Sequence, residues 1–385
     1  MHLFLSAEES ERFLVEELPR AVPGATPVVL APGLLGADFA ADGSQPAMRR
    51  TPSPPPSAGE RDGERGRSDS PGHIENSEAA KATVTRNIPL LAFARQMLPD
   101  AIAVQAPSIN AWAGQLFDAI IARVPEQQPW HLHIDAHYGA AGAGQNRCEL
   151  IRERVIELLG KKRRQLRRGL VKEPQAFAHD HSLVQLLLTG PEAGFLSITI
   201  APQPHAWRGV LSPFPKGDVP IAEDKAAPSR AFTKLVEAEL RMGRRISAGE
   251  SCVDLGASPG SWSYVALQRN AQVIAVDRSS LREDLMRNPR LKFEQGDAFK
   301  FRPAAPVDWL LCDVIAAPQR SIDLVLDWVR ERQARRFVVT IKFKGHEEYA
   351  VLDSLKTALP PRCEEVYLSR LCANKNEVCV FGVVK

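Results

Sequence analysis

The C-terminal part of the chain alternates short apolar runs with polar breaks, and that spacing predicts buried strands. Residues 251–255 (SCVDL) are apolar enough for a strand covered on both faces, and the run 252–262 (CVDLGASPGSW) leads through a glycine-bent loop into a helix. Gly256 and Gly260 let the backbone approach a ligand where a Cβ would clash. Further strands are predicted at 271–276, closed by Asp277, at 291–297, ending in Asp297, and at 307–313, ending in Asp313. Ligands collect beyond the carboxyl ends of strands in open α/β sheets, so Asp254, Asp277, Asp297 and Asp313 are expected to line one crevice. A dinucleotide-binding loop would carry G-x-G-x-x-G, whereas this loop reads D-x-G-x-x-P-G. It suits a ligand with an adenosine and no phosphates, which points to S-adenosylmethionine. Asp277 is placed for ribose hydroxyls and Asp297 for an adenine amino group.

The N-terminal half is less regular. Strands are expected at 2–5 and 26–30, and helices at 8–18 and 109–123, with an alternating strand at 130–135. Further helix or strand material is expected at 182–188 and 194–200. Between about 43 and 80 proline, serine, glycine, glutamate and arginine dominate, which predicts a disordered insertion. Residues 149–170 are expected to form one helix, with Leu150, Ile151, Val155, Leu158, Leu159, Leu166 and Leu170 as its apolar stripe. Its C-terminal half carries Lys161, Lys162, Arg163, Arg164, Arg167 and Arg168, more charge than a helix dipole needs. The arginines are candidate RNA phosphate contacts, and a solvated face is the alternative.

Composition adds little. A net charge of +3 and a hydrophobic content of 44% are ordinary for 385 residues, which suffice for two or three domains. No apolar run reaches membrane-spanning length and no signal segment opens the chain, so a cytoplasmic location is expected. The six cysteines form no C-x-x-C pair, and the histidines lack metal spacing, so no metal is expected.

Four polar positions stand out from their surroundings. Lys234 lies on the first turns of a helix entered from the loop APSRAFT at 227–233, and Asp313 ends a strand. Lys342 interrupts an apolar strand, a costly place for a lysine without partners, and Glu377 opens the last apolar strand. An ion pair joining the last two strands would be the bland explanation. In chain order, however, these residues match the Lys-Asp-Lys-Glu tetrad of the FtsJ-like ribose 2′-O-methyltransferases, which the chain resembles. More closely it resembles the RlmM-type enzymes that methylate a cytidine ribose of 23S rRNA, on 227–230, 254–260, 297–303, 312–313 and 377–378, and weakly on 91–96.

The resemblance implies an α/β architecture: a Rossmann-like methyltransferase domain at 205–385, preceded by small α+β RNA-binding domains. These are a ferredoxin-like domain at 1–125, holding the insertion, and a THUMP-like module at 126–204. It also implies Lys342 as proton acceptor, assisted by Lys234, Asp313 and Glu377. S-adenosylmethionine would be held by Gly256, Ser258, Pro259, Gly260, Ser261, Trp262, Asp277, Asp297 and Asp313. The family usually has a cysteine and a second glycine where this chain has Ser258 and Ser261, and a cofactor-contacting serine where it has Ala231. The expected partner is RNA, most simply 23S rRNA. Another RNA such as tRNA, or a non-catalytic assembly role, are the alternatives.

Overall fold

The computed structural model describes residues 1–39, 90–139, 143–171, 180–345 and 347–385. The expected insertion at about 43–80 lies outside the described residues.

The first sheet is built from β1 (His2–Leu5), β2 (Thr26–Ala31), β3 (Leu34–Asp38) and β4 (Gln96–Leu98), with α1 (Glu11–Ala21) between β1 and β2. Its order is β2-β3-β1-β4, and each neighbouring pair is antiparallel. Pro27 sits in β2 at the edge of the sheet, where a missing N–H disrupts no ladder.

The second sheet takes β5 (Ile102–Gln105), β6 (Trp130–Ala136), β7 (Ser182–Leu188) and β8 (Ala193–Thr199), in the order β5-β8-β7-β6. Two helices cover it, α2 (Ile109–Arg123) and α3 (Ala143–Lys162), with the short α4 (Arg164–Gly169) after them. Ser108 caps α2, its hydroxyl accepting from the Ala111 N–H at 3.2 Å. β5 pairs with β8 in the second sheet and α2 packs on it, so elements of that sheet begin before residue 126. The alternating polarity of β6 proved misleading, since His131 and His133 are buried too.

The basic helix is not continuous. It breaks at Arg163 (φ −145°, ψ 67°), where the chain re-enters as α4 so that Leu166 reaches the core and its carbonyl accepts from Trp130 Nε1 at 2.8 Å. Leu150 is exposed, and the inward stripe of α3 runs through Cys148, Ile151, Val155 and Leu159.

The third sheet holds the remaining strands: β9 (Ser251–Leu255), β10 (Gln272–Asp277), β11 (Leu291–Gln295), β12 (Val307–Cys312), β13 (Ala334–Lys342), β14 (Cys363–Ser369) and β15 (Glu377–Val384). The helices of this part are α5 (Phe232–Met242), α6 (Ser261–Gln268), α7 (Glu283–Met286), α8 (Pro318–Arg330) and α9 (Asp353–Ala358). Strand order is β11-β10-β9-β12-β13-β15-β14, with β15 antiparallel to its two neighbours. This is a Rossmann-like α/β sheet. Its order reverses between β9 and β12, the switch point where such sheets bind ligands beyond their carboxyl ends. Trp309 and Phe337 are fully buried in β12 and β13, and Ile322, Val325 and Trp328 in α8. Burying each such side chain stabilises the fold by about 1.5–3 kcal/mol. One hydrophobic core runs from the first sheet into the third, joining Phe13, Leu14 and Phe93 to Phe343, Tyr349 and Leu355.

Candidate active site

The four singled-out side chains meet at the carboxyl ends of β12 and β13. α5 brings Lys234 inward, and its Nζ lies 3.1 Å from both oxygens of Asp313 and 2.7 Å from Glu377 Oε1. Lys342 closes β13 directly opposite Glu377 on β15. Its Nζ lies 3.0 Å from Asp313 Oδ1, donates to the Asp313 carbonyl at 2.9 Å, and stands 3.9 Å from Glu377 Oε2. Asp313 thus bridges two ammonium groups. Asn374, itself buried, donates to Glu377 Oε1 at 3.2 Å and fixes that carboxylate from behind.

The two lysines are not equivalent. Lys234 is 8% exposed and held by both carboxylates; burial works against its charge, but Asp313 and Glu377 outweigh it and raise its pKa above the ordinary lysine value. Lys342 is 22% exposed and stands farther from Glu377, so it is the lysine presented to a substrate.

Beside this constellation is a cleft of about 210 Å³ lined by Gly256, Asp277, Gly296, Asp297, Phe299 and Val314, with Arg278, Ile315 and Arg320 at its margin. Gly256 has φ +73°, and a Cβ there would lie 2.9 Å from Val314 Cβ, so both conformation and space require glycine. Gly260, at φ +110°, requires glycine for its backbone conformation, while a Cβ there would meet only the movable ends of Leu285 and Leu281. Asp277 anchors the loop, its oxygens accepting from the Ser258 N–H at 3.0 Å and the Ser279 N–H at 2.9 Å. Asp297 accepts from the Phe299 N–H at 3.0 Å, which holds its carboxyl below the usual range, with Arg278 adding to the effect. Arg320 lies over the Phe299 ring at 4.0 Å, and Ile315 is 87% exposed.

Several expected ligand contacts are placed otherwise. Asp254 does not line the crevice. It is buried and accepts from the Ser263 N–H and hydroxyl at 2.9 and 2.7 Å; burial pushes its pKa up to about 7 despite those bonds. Trp262 is buried, its indole donating to the Ala231 carbonyl at 2.8 Å, so its side chain faces the core. Ser258 donates to the Ser280 carbonyl, and Ser261 Oγ lies 2.7 Å from Ser229 Oγ. With Pro259 and Gly260 they shape the loop and do not line the cleft. Asp313 does not line it either, being committed to the lysines, while its neighbour Val314 does. Sequence reasoning missed Phe299, Ile315 and Arg320, although Phe299 stands two residues beyond Asp297. It also missed Asn374, whose only signal is its position three residues before Glu377.

The candidate RNA contacts are exposed. Arg164, Arg167 and Arg168 line an open groove of about 450 Å³ with Gly160, whereas Arg163 occupies the helix break and lies outside it. Among the described residues no cluster of histidine, cysteine and carboxylate side chains could hold a metal, and no helix is long and apolar enough to cross a membrane.

Residues 227–357, a span that holds Lys234, Asp313 and Lys342, match the family model described as FtsJ-like methyltransferase. Among individual proteins, the chain is similar to ribosomal RNA large subunit methyltransferase M of Halorhodospira halophila, at 30% identity over 52% of this chain and 61% of that protein. The protein of the same name from Laribacter hongkongensis is 38% identical over 34% of this chain and 39% of its own length. That from Ectopseudomonas mendocina is 31% identical over 53% and 62%. The matches thus span 39% to 62% of these relatives.

Proposed function

We propose that this protein is an S-adenosylmethionine-dependent RNA methyltransferase acting on a ribose 2′-hydroxyl, with large-subunit ribosomal RNA as substrate. The observation that carries this reading is the cluster of Lys234, Asp313, Lys342 and Glu377, whose Asp313 is next in the chain to Val314 of the cleft wall. The names of the curated relatives support the choice of RNA.

The cleft fits a nucleoside without phosphates. Gly256 allows close backbone approach, Phe299 and Ile315 offer apolar walls, and Asp277 and Asp297 are acceptors for ribose hydroxyls and an adenine amino group. S-adenosylmethionine, when bound, supplies an electrophilic methyl group on a positively charged sulfur. Lys342 takes the 2′-hydroxyl proton at Nζ. Lys234 stays charged and neutralises the carboxylates that orient Lys342. Holding the hydroxyl, base and methyl group in line contributes by positioning alone.

The N-terminal sheets would bind the RNA. The antiparallel order of the first sheet, β4-β1-β3-β2 with α1 after β1, supports a ferredoxin-like reading. The second sheet, carrying α3 and α4, would be the THUMP-like module, with Arg164, Arg167 and Arg168 on phosphates and Arg163 at the margin.

Incubation of the full chain with radiolabelled S-adenosylmethionine and unmodified large-subunit rRNA, followed by mapping of ribose methylation, tests the reading. One methylated nucleotide is expected, absent from rRNA of cells lacking the protein. Methyl transfer to tRNA alone would move the substrate assignment, and label on a base would overturn the chemistry.

A further inference from the structure

The ends of β13 and β15 that carry Lys342 and Glu377 are tied together by the residues immediately beyond the pair. The Phe343 N–H donates to the Asn376 carbonyl at 2.9 Å, and Asn376 Nδ2 donates back to the Phe343 carbonyl at 2.8 Å. Asn376 Oδ1 in turn accepts from the hydroxyl of Tyr349. Tyr349 lies in the single-turn helix Glu347–Leu352, and its ring is the hub of an aromatic cluster. Phe343 stands 4.5 Å from it, Phe13 4.6 Å and Phe93 4.8 Å, centroid to centroid. Phe13 belongs to α1, and Phe93 to the segment entering β4, so half the cluster comes from the first sheet. All four rings are buried.

We propose that Tyr349 is a positioning residue through which the docked N-terminal sheet sets the geometry of Lys342 and Glu377. The first sheet would then act on the catalytic pair as well as on the RNA. This rests on the reading of Lys342 as proton acceptor. The physical argument is one of short, stiff links. Aromatic pairs at these spacings attract one another beyond what their buried area gives, and so fix the ring within its pocket. The fixed ring holds Asn376, and Asn376 clamps both strand ends one residue from the ammonium and the carboxylate. A displacement of about 1 Å at such a pair is enough to slow a positioned reaction severely.

Another contact joins the same two parts and touches neither Tyr349 nor Asn376. Arg20 of α1 meets Asp353 of α9 at 3.3 Å, with both side chains partly exposed. This pair provides the control.

The test uses the full chain. Tyr349→Phe keeps the ring and removes the hydroxyl that bonds Asn376; Phe93→Leu loosens the cluster from the far side; Arg20→Gln weakens the interface elsewhere. In single-turnover methyl transfer, Tyr349→Phe and Phe93→Leu are expected to slow the step by roughly tenfold. RNA and S-adenosylmethionine affinities should stay within about twofold, and Arg20→Gln should match wild type. A second readout needs neither RNA nor cofactor: the rate and pH profile of Lys342 acetylation by acetic anhydride, followed by mass spectrometry. Tyr349→Phe should shift both. Wild-type transfer and wild-type labelling in Tyr349→Phe would overturn the proposal, as would equal slowing by Arg20→Gln. If wild type methylated no RNA while Lys342 labelling still responded to Tyr349, the coupling would stand and the functional reading would fall.

Discussion

Lys342 and Lys234 share a carboxylate yet differ in what surrounds them. Lys234 is enclosed with two counter-charges, whereas Lys342 reaches Asp313 from the edge of the site. Charge and proton transfer can therefore be separated by substitution. Lys342→Arg keeps a cation within reach of Asp313, but a guanidinium does not release its proton in proteins. Methyl transfer is expected to fall by roughly 100-fold or more, with RNA and cofactor affinities preserved, because the lost interaction belongs to the transition state. Single-turnover rates and equilibrium binding on the same variant check this. Near wild-type turnover would mean that positive charge suffices at 342.

At the scale of elements, six of the seven strands of the third sheet were legible because each is a short apolar run, and local pattern suffices for a strand buried on both faces; β14, which reads CEEVYLS, went unseen. The ends of those strands were legible for the same reason, which is why the tetrad could be assembled from sequence. Side-chain direction was not. Whether Asp254 and Trp262 face ligand or core depends on the turn between β9 and α6, fixed by the contacts of Gly256 and Gly260 with residues far along the chain. β3 went unseen because its partners are β1 and β2, and the boundary set at 125 overlooked the pairing of β5 with β8, about ninety residues later. The break between α3 and α4 was invisible to periodicity, since Leu166 keeps the apolar stripe going while the backbone changes course. It nonetheless sets a prediction. Because Arg164, Arg167 and Arg168 line one groove, replacing all three with Gln should weaken RNA binding and lower the slope of log affinity against log salt by about 2–3. S-adenosylmethionine binding should be unaffected. Fluorescence anisotropy across a salt series reads the slope, and an unchanged slope would assign these arginines to a solvated face.

At the scale of the whole molecule, four buried titrating groups oppose one another. Burial lowers the pKa of His131 to about 4 and of His133 to about 3, so both stay neutral in the fold. It raises Asp135 to about 6 and Asp254 to about 7, so both stay protonated there. Between pH 4 and 6 the unfolded chain protonates both histidines and releases both acid protons. The histidines make stability rise with pH, and the aspartates make it fall. The two effects nearly cancel, which predicts a flat stability profile in that window. Asp254→Asn removes one opposing proton, so stability should then rise by about 1.4 kcal/mol per pH unit. His133→Gln should give the reverse slope. Urea denaturation at several pH values checks this, and profiles parallel to wild type would show that these groups are not shifted.

The core shared by the first and third sheets also bears on synthesis at the ribosome. β4 follows its partner β1 by some ninety residues, and Phe343 and Tyr349 follow Phe13 by more than three hundred. Phe13 and Phe93 therefore stay uncovered until those later residues have been made. An exposed apolar face of this kind is a natural substrate for a holding chaperone, and a stalled or truncated chain would present it to aggregation. Completion of the last strands both builds the catalytic ends and buries that face, so the fold reaches its protected form only when the machinery for catalysis is in place.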